Sequence, residues 1–352
     1  MLSRKAKGLF IEVGEFSVQV AKTTSLTAPL AVESVDSFPL DSAWERLSRL
    51  TGEMSGTGSG GKLIQAHCAV YPPSRFVRRH TVESAAKAKD PAYLGKVLSQ
   101  QFKVDTAKNV AAVLNAVDGS EFTLERSIAQ QKELLFAGAL KAEFEGLQVS
   151  LTDADVYPVS LQLGTLSVLG GISDYIASKQ ITDPVLVLEM SMGQTCTYIV
   201  SRNMVELTRP LSKGLGTIVP RIQEELGLKD EASAKKLFFS NTFDFTEMGP
   251  ALLQGLLKEL QAAIGFFEVQ TGMTIGHIHL GSLPENLSWI PSVMSKSLGL
   301  RLLRTDYGEW LPGYSVQPQD SVLDQTRDHA SWFGLFSMMG AFNSKDNGSK
   351  KK

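Results

Sequence analysis

Cysteine is nearly absent from this chain. Cys68 and Cys196 are the only two in 352 residues, which gives no disulfide framework and points to a reducing compartment. An excess of one charge is missing as well. Lys and Arg number 35 against 37 Asp and Glu, a formal net charge of −2, whereas a dedicated nucleic-acid binder carries a strong basic surplus. No apolar run approaches the roughly 20 residues needed to cross a bilayer; the most apolar stretch, "ASWFGLFSMMGAF" at 330–342, is too short. The start, "MLSRKAKGLFIEVGEF", is basic, but Glu12 and Glu15 interrupt it before a signal-sequence core is reached. No Ser-His-Asp or Cys-His order suggests nucleophilic catalysis. What remains is 43% hydrophobic and 20% charged, the composition of a globular protein with two domains or one bilobal unit.

One phosphate-loop signal fails on inspection. "GTGSGGKL" (56–63) places Gly56, four residues, Gly61 and Lys62 in P-loop spacing, but Leu63 stands where Ser or Thr would meet the metal ion. The flanks are also reversed. Asp41, Ala43, Leu47 and Leu50 predict a helix over 41–54 before the loop, and "KLIQAHCAVY" predicts a strand after it. A P-loop needs strand in and helix out, so 55–61 reads as a flexible Gly/Ser connection.

The pattern that organises the chain is an echo. "GLFIEVGEFSVQVAK" predicts a hairpin turning near Gly14, with "AVESVDSFPL" as a third strand or its exit. From 182, "TDPVLVLEMSMGQTCTYIVSRNMVELTRPL" predicts a second Gly-punctuated hairpin and third strand. Between them, the Pro72–Pro73 pair, a Lys-rich helical stretch at 84–103, and strands "NVAAVLNAVD" and "ELLFAGAL" predict a small α+β insertion. "LQVSLTDADVYPVSLQLGTLSVLG" reads as strand passing into helix. In the second half, helices are expected at 217–226, 231–239, 248–271 and 290–298, "IGHIHLGSLPENL" as a strand running into a loop, a further strand at 299–304, and a last helix at 329–342. The tail 343–352 reads as disordered.

These segments, in this order, resemble the PilM-like pilus-assembly members of the actin-like ATPase superfamily, which also includes FtsA. "IEVGEFSVQVAK" resembles the first phosphate hairpin and "LEMSMGQTCTYIV" the second. "PLSKGLGTIVPRIQEELGLKDEASAKKL" and "LQAAIGFFEVQTGMTIGHIHLGSLPENLSW" resemble the segments that come after the second hairpin in that family. The resemblance implies an α/β, actin-like ATPase fold with two related lobes around a central cleft and an α+β subdomain inserted in the first. The first lobe would take 1–74 and 147–181, the insertion 75–146, and the second lobe 182–342.

By the same resemblance, Gly14, Glu15, Ser17, Gly193, Gln194, Thr195, Gly214, Gly216, Lys236 and Gly281 would line a nucleotide cleft for ATP. Glu12 and Glu189 would stand where Mg²⁺-associated carboxylates are expected. Yet each motif departs from the family's. Glu12 and Glu189 replace Asp, Glu15 and Phe16 replace small hydroxyl residues, and Ser191 and Met192 replace small ones. Ser233 and Lys236 stand for the ribose-contacting Glu and Lys, and Gly281-Ser282-Leu283-Pro284 for a Gly-rich run. A carboxylate at Glu15 would repel phosphate.

The resemblance therefore implies a cytoplasmic scaffold, peripheral to the inner membrane through its partner, with nucleotide use weakened or lost. It would bind the N-terminal cytoplasmic peptide of a PilN-like inner-membrane protein, near 68–80 and 110–118, together with other pilus-assembly proteins. A working Mg-ATP-driven switch of partner affinity is the alternative, and homo-oligomerisation stays open. A GspL-like cytoplasmic domain is a third reading, disfavoured because such a protein continues into a membrane helix.

Three further features read as structural. His277 and His279 alternate on one strand face, a spacing able to hold a metal, but with no Cys or acidic neighbour. "RFVRRH" (75–80) reads as a solvated strand edge. The last apolar helix lacks a cationic face and, with Gly334-Leu335, reads as a core helix of the first lobe.

Overall fold

The computed structural model describes residues 8–24, 26–55, 63–84, 87, 90–117, 119–120, 132–240, 242–281, 283–327 and 329–349. The Gly/Ser connection 56–62, and Ser282, lie outside the described residues. Backbone contacts divide the chain into one unit of Met1–Gly171 with Thr305–Lys352, and a second of Ile172–Arg304.

In the first unit, β1 (Gly8–Val13), β2 (Ser17–Thr23) and β3 (Leu30–Pro39) form an antiparallel meander. Helix α1 (Leu40–Ser55) then leads to β4 (Ile64–Val70). A helix does come before the Gly/Ser-rich stretch in sequence, and a strand after it. The six-stranded sheet runs β14-β3-β2-β1-β4-β8, with β8 at Val156–Leu163 and β14 at Val316–Pro318. Alternation along β1 sends Leu9, Ile11 and Val13 into one core with Ala43, Leu47 and Leu50 of α1. Phe10 and Glu12 point to the opposite face. Each such leucine contributes about 1.5–3 kcal/mol by leaving water. The one hydroxyl proton of Thr51, inside that core, has three carbonyl oxygens in reach, Ser48 (2.8 Å), Ala154 (3.0 Å) and Leu47 (3.1 Å), so it is not left wanting.

A separate three-stranded sheet, β5-β7-β6, is built from β5 (Phe76–Thr81), β6 (Asn109–Asn115) and β7 (Glu133–Leu140). Helix α2 (Pro91–Lys96) and a π-helical turn (Val97–Gln101) cover its Phe76, Leu134 and Phe136 face. This is the α+β insertion expected from the sequence.

The second unit repeats the first in topology. Its sheet runs β11-β10-β9-β12-β13, with β9 at Val185–Met190, β10 at Thr195–Val200, β11 at Val205–Leu211, β12 at His277–Leu280 and β13 at Arg301–Leu302. In both units the first hairpin strand has an antiparallel neighbour on one side and a parallel one on the other.

Three expectations change. Residues 147–151, read as strand, belong to α3 (Lys141–Asp153). The apolar alternation Leu147, Val149, Leu151 mimics a strand, but Leu147 and Leu151 are four apart and share the helix face packed on the core, while Val149 is 59% exposed. The second unit ends at Arg304 rather than 342. Beyond it β14 pairs with β3, and the last helix packs on β1, β2 and β4. That helix runs from Phe333 to Ser349, so 343–349 is helical instead of disordered.

Between α3 and the last helix lie α4 (Gly164–Ser178), α5 (Val219–Glu225), α6 (Glu231–Phe238), α7 (Gly249–Leu252), α8 (Gln254–Thr271), α9 (Trp289–Leu298), α10 (Tyr307–Trp310) and α11 (Asp320–Thr326), which makes Phe333–Ser349 α12. Among the described residues no helix is long and apolar enough to cross a membrane.

His277 and His279 lie in β12, both buried. Burial pushes His279 down from 6.5 to about 4. His277 is lowered by burial first and then by Arg301, against an opposing pull from Asp183. Among the described residues no group of three or more His, Cys, Asp or Glu is placed to hold a metal.

The unfolded chain takes up a proton at His279 well before the folded one does. That part of the stability is therefore complete above pH 6.5 and lost as pH falls towards about 4. The loss should be roughly 3 kcal/mol. Urea midpoints at neutral pH and near pH 5 should converge in His279→Leu relative to wild type; an unchanged acid slope would refute this.

Candidate functional site

The second hairpin turn is the better defined of the two candidate phosphate turns. Ser191 N–H donates to Gln194 O (2.9 Å), and the Ser191 hydroxyl donates to the same oxygen (2.9 Å). Gln194 N–H in turn donates to Ser191 Oγ (3.0 Å). The turn is thus closed upon itself.

The segment after β11 locks it from outside. Leu215 N–H donates to Ser191 O (2.8 Å), Gly216 N–H to Met192 O (2.9 Å), and Thr195 Oγ1 to Lys213 O (2.6 Å). Gly214 is required here for space. A Cβ on it would lie 2.4 Å from Ser191 O, 2.5 Å from Gln194 N and 2.6 Å from Met192 O. Its backbone, at φ −108° and ψ −172°, is open to any residue. The structure therefore gathers Gly193, Gln194, Thr195, Gly214 and Gly216 into one cluster, in which the amides of Gln194, Leu215 and Gly216 already have acceptors.

Glu189 is buried in β9 and pairs across the hairpin with Cys196. Gly281 comes directly after β12 and donates to Leu188 O (2.9 Å); a Cβ on it would come 3.8 Å from Glu189 Cγ. Lys236 lies apart from this cluster, exposed on α6. Asp230 caps that helix by accepting from Ser233 N–H (2.7 Å), a bond that holds its carboxyl below the usual range.

The first turn belongs to the other unit. Gly14 N–H donates to Ser17 O (2.9 Å), Tyr71 N–H to Val13 O (3.1 Å) and Leu40 N–H to Phe16 O (3.0 Å). Gly14, Glu15, Phe16 and Ser17 are all partly exposed. Glu12, just before the turn, is only 2% exposed and lies opposite Gln19 in the β1–β2 ladder. Its carboxylate rests against α12: a Cβ on Gly334 would lie 2.3 Å from Glu12 Oε1 and 2.8 Å from Oε2. The sequence showed Gly334 as a core position but not its partner, since 322 positions separate the two. Lys213 was also missed, although "PLSKGLGT" contains it beside two glycines that were picked out.

No protein-family model matches the chain, and no curated protein matches it in sequence. Solved structures do. A chain of the PilM–PilN type IV pilus biogenesis complex superposes with a TM-score of 0.65 at 16% identity, covering 96% of this chain and 98% of that one. Weaker likenesses, which carry no argument, are to the ethanolamine utilization protein EutJ of Carboxydothermus hydrogenoformans and to a Bacteroides thetaiotaomicron protein of actin-like ATPase fold. EutJ gives a TM-score of 0.47 at 10% identity, over 96% of this chain and 89% of that one. The Bacteroides protein gives 0.41 at 10% identity, over 86% and 93%. At such identities a likeness carries fold and leaves function to the site. Over nearly its whole length, then, the chain shares its fold with the matched chain of the PilM–PilN complex.

Proposed function

We propose that the chain is a scaffold of a type IV pilus or related secretion assembly machine, working on the cytoplasmic side of the inner membrane. It binds the N-terminal peptide of a PilN-like membrane protein and has weakened or lost nucleotide use. The observation that carries the scaffold reading is the end-to-end likeness to a chain solved in a PilM–PilN complex.

Support for peptide binding comes from the insertion. Strand β6 is the last in the order β5-β7-β6. Val110 is 50% exposed, Ala111 and Ala112 are exposed, and Val117 beyond the strand is 40% exposed. Among the described residues no strand pairs with the outer edge of β6, and an uncharged edge of that kind is a template for an added strand, which would gain main-chain hydrogen bonds and seat its side chains beside Val110.

Support for weakened nucleotide use comes from both turns. A phosphate at the second turn would have to displace internal hydrogen bonds from Gln194, Leu215 or Gly216, each worth about 0.5–1.5 kcal/mol. At the first turn Glu15 adds a carboxylate, and Glu12 is held buried against Gly334 rather than presented to solvent. These residues do not fit a Mg-ATP site, and no catalytic step is assigned to them.

The test of partner binding is fluorescence anisotropy with the labelled N-terminal peptide of the PilN-like protein from the same genome. Wild type should bind saturably, and Val110→Asp should weaken binding about tenfold, or about 1.4 kcal/mol. No saturable binding by wild type would sink the reading.

A further inference from the structure

The chain crosses between the six-stranded sheet and the inserted β5-β7-β6 sheet twice, going in through 71–75 and coming out through 140–141. The way in is stiff. Pro72 and Pro73 each fix a backbone angle, and Arg75 N–H closes a turn on Pro72 O (3.0 Å). Tyr71 N–H donates to Val13 O (3.1 Å), and the Arg75 guanidinium lies 5.3 Å over the Tyr71 ring. That ring fills the space beside Gly164, where a Cβ would come within 2.2 Å of it.

The way out is built differently. Strand β7 runs directly into α3, whose N-cap residue is Leu140, and no side chain of its own caps the helix. Glu143 stands three residues on, the position from which a glutamate reaches back to the N-cap amide in a capping box. Here Ser74, 66 residues before Leu140, stands between the two. Leu140 N–H donates to Ser74 Oγ (2.8 Å), and Ser74 Oγ donates to Glu143 Oε2 (2.7 Å). The same carboxylate oxygen accepts from Ser74 N–H (3.0 Å). Hydrogen bonds to a carboxylate are among the stronger ones, and the first turn of a helix favours the negative charge. The stiff crossing thus supplies the cap for the other.

We propose that Ser74 is a latch that fixes the inserted sheet against the first unit's core. With the latch closed, β5-β7-β6 keeps one orientation relative to β4 and α3. With it open, the sheet turns as a body about its two crossings. The core side of the joint is α3, which packs there through Leu147 and Leu151. On the insertion side, Lys141 N–H, next to the latch, donates to Lys108 O (2.8 Å) just before β6. Ser74 is therefore a positioning residue for β6, acting through Glu143 and the start of α3. The latch does not depend on the peptide reading given for the β6 edge.

The test is a distance measurement by double electron–electron resonance on the full chain. Spin labels go on Glu45→Cys in α1 and Gln100→Cys in the turn after α2, both exposed positions; the native Cys68 and Cys196 are buried. The labelled pair is compared in otherwise wild-type protein, Ser74→Ala, Glu143→Ala and Glu143→Gln, with amide hydrogen exchange followed in parallel. Wild type should give one narrow distribution. Ser74→Ala and Glu143→Ala should widen or shift it, while the amides of β5, β6 and β7 keep their slow exchange. Glu143→Gln keeps an accepting oxygen and should stay with wild type. The proposal is overturned if both alanine variants keep the wild-type distribution. It is overturned too if exchange in β5, β6 and β7 quickens along with the widening, because the sheet would then have unfolded rather than turned. Equal widening in Glu143→Gln also overturns it, since charge and not the accepting oxygen would then hold the joint.

Discussion

Gly214→Ala should destabilise the second unit by about 3 kcal/mol, the upper part of the range for forcing one methyl into a filled space. The reason is the nature of the atoms in its way. Ser191 O, Gln194 N and Met192 O all belong to the backbone of the closed turn, and no rotamer change can move them. Either the turn opens, losing the bonds from Leu215 and Gly216 that hold it, or the chain after β11 lifts away. Gly193→Ala is the internal control. Nothing lies within 4 Å of a Cβ at Gly193, so that change should stay within about 0.5 kcal/mol. Urea unfolding monitored by tryptophan fluorescence separates the two outcomes. Equal effects at both positions would mean that the turn is not locked in the way described.

The second large effect is expected at Gly334. Alanine in the middle of an exposed helix would stabilise it by about 1 kcal/mol over glycine. In α12 it should instead cost about 2–3 kcal/mol, because the methyl group would sit 2.3 Å from the buried Glu12 carboxylate. Glu12 is only 2% exposed, so its tip has little room to retreat. The diagnostic is the double variant. Glu12→Asp shortens the side chain by one methylene and should recover most of the loss in Gly334→Ala, giving a coupling energy of at least 1 kcal/mol in a double-mutant cycle. Additive effects would show that the two residues do not compete for the same space.

The Glu12–Gly334 pair also marks the limit of what the sequence discloses. Local features were legible. The Gly-punctuated hairpins declare themselves through alternating apolar residues around Gly14 and Gly193, and their recurrence after Val185 foretells the repeated strand order of the two sheets. The false P-loop was also legible, because α1 precedes it and β4 comes after it. The failures are those where a local pattern has two solutions or where the partner is remote. Leu147, Val149 and Leu151 satisfy a strand period, and only packing on the α1 core selects the helix. The packing of α12 on the first unit was expected from Gly334-Leu335 and is found, whereas the pairing of β14 with β3 leaves no periodic trace. At the candidate site, residue identities such as Ser191 and Met192 were visible as departures from the small residues of the family that the sequence resembles. That Ser191 would accept the Gln194 amide, and so close the turn, depends on a side-chain rotamer that no spacing encodes.

The central claim, an actin-like fold retained without a working nucleotide site, is tested most directly by melting the full chain with and without millimolar Mg-ATP. A ligand that binds only the folded state raises its stability by RT ln(1 + [L]/Kd). With the second turn closed and Glu15 at the first, the melting temperature should not move. A rise of several degrees would contradict the account and make the chain a nucleotide-binding switch.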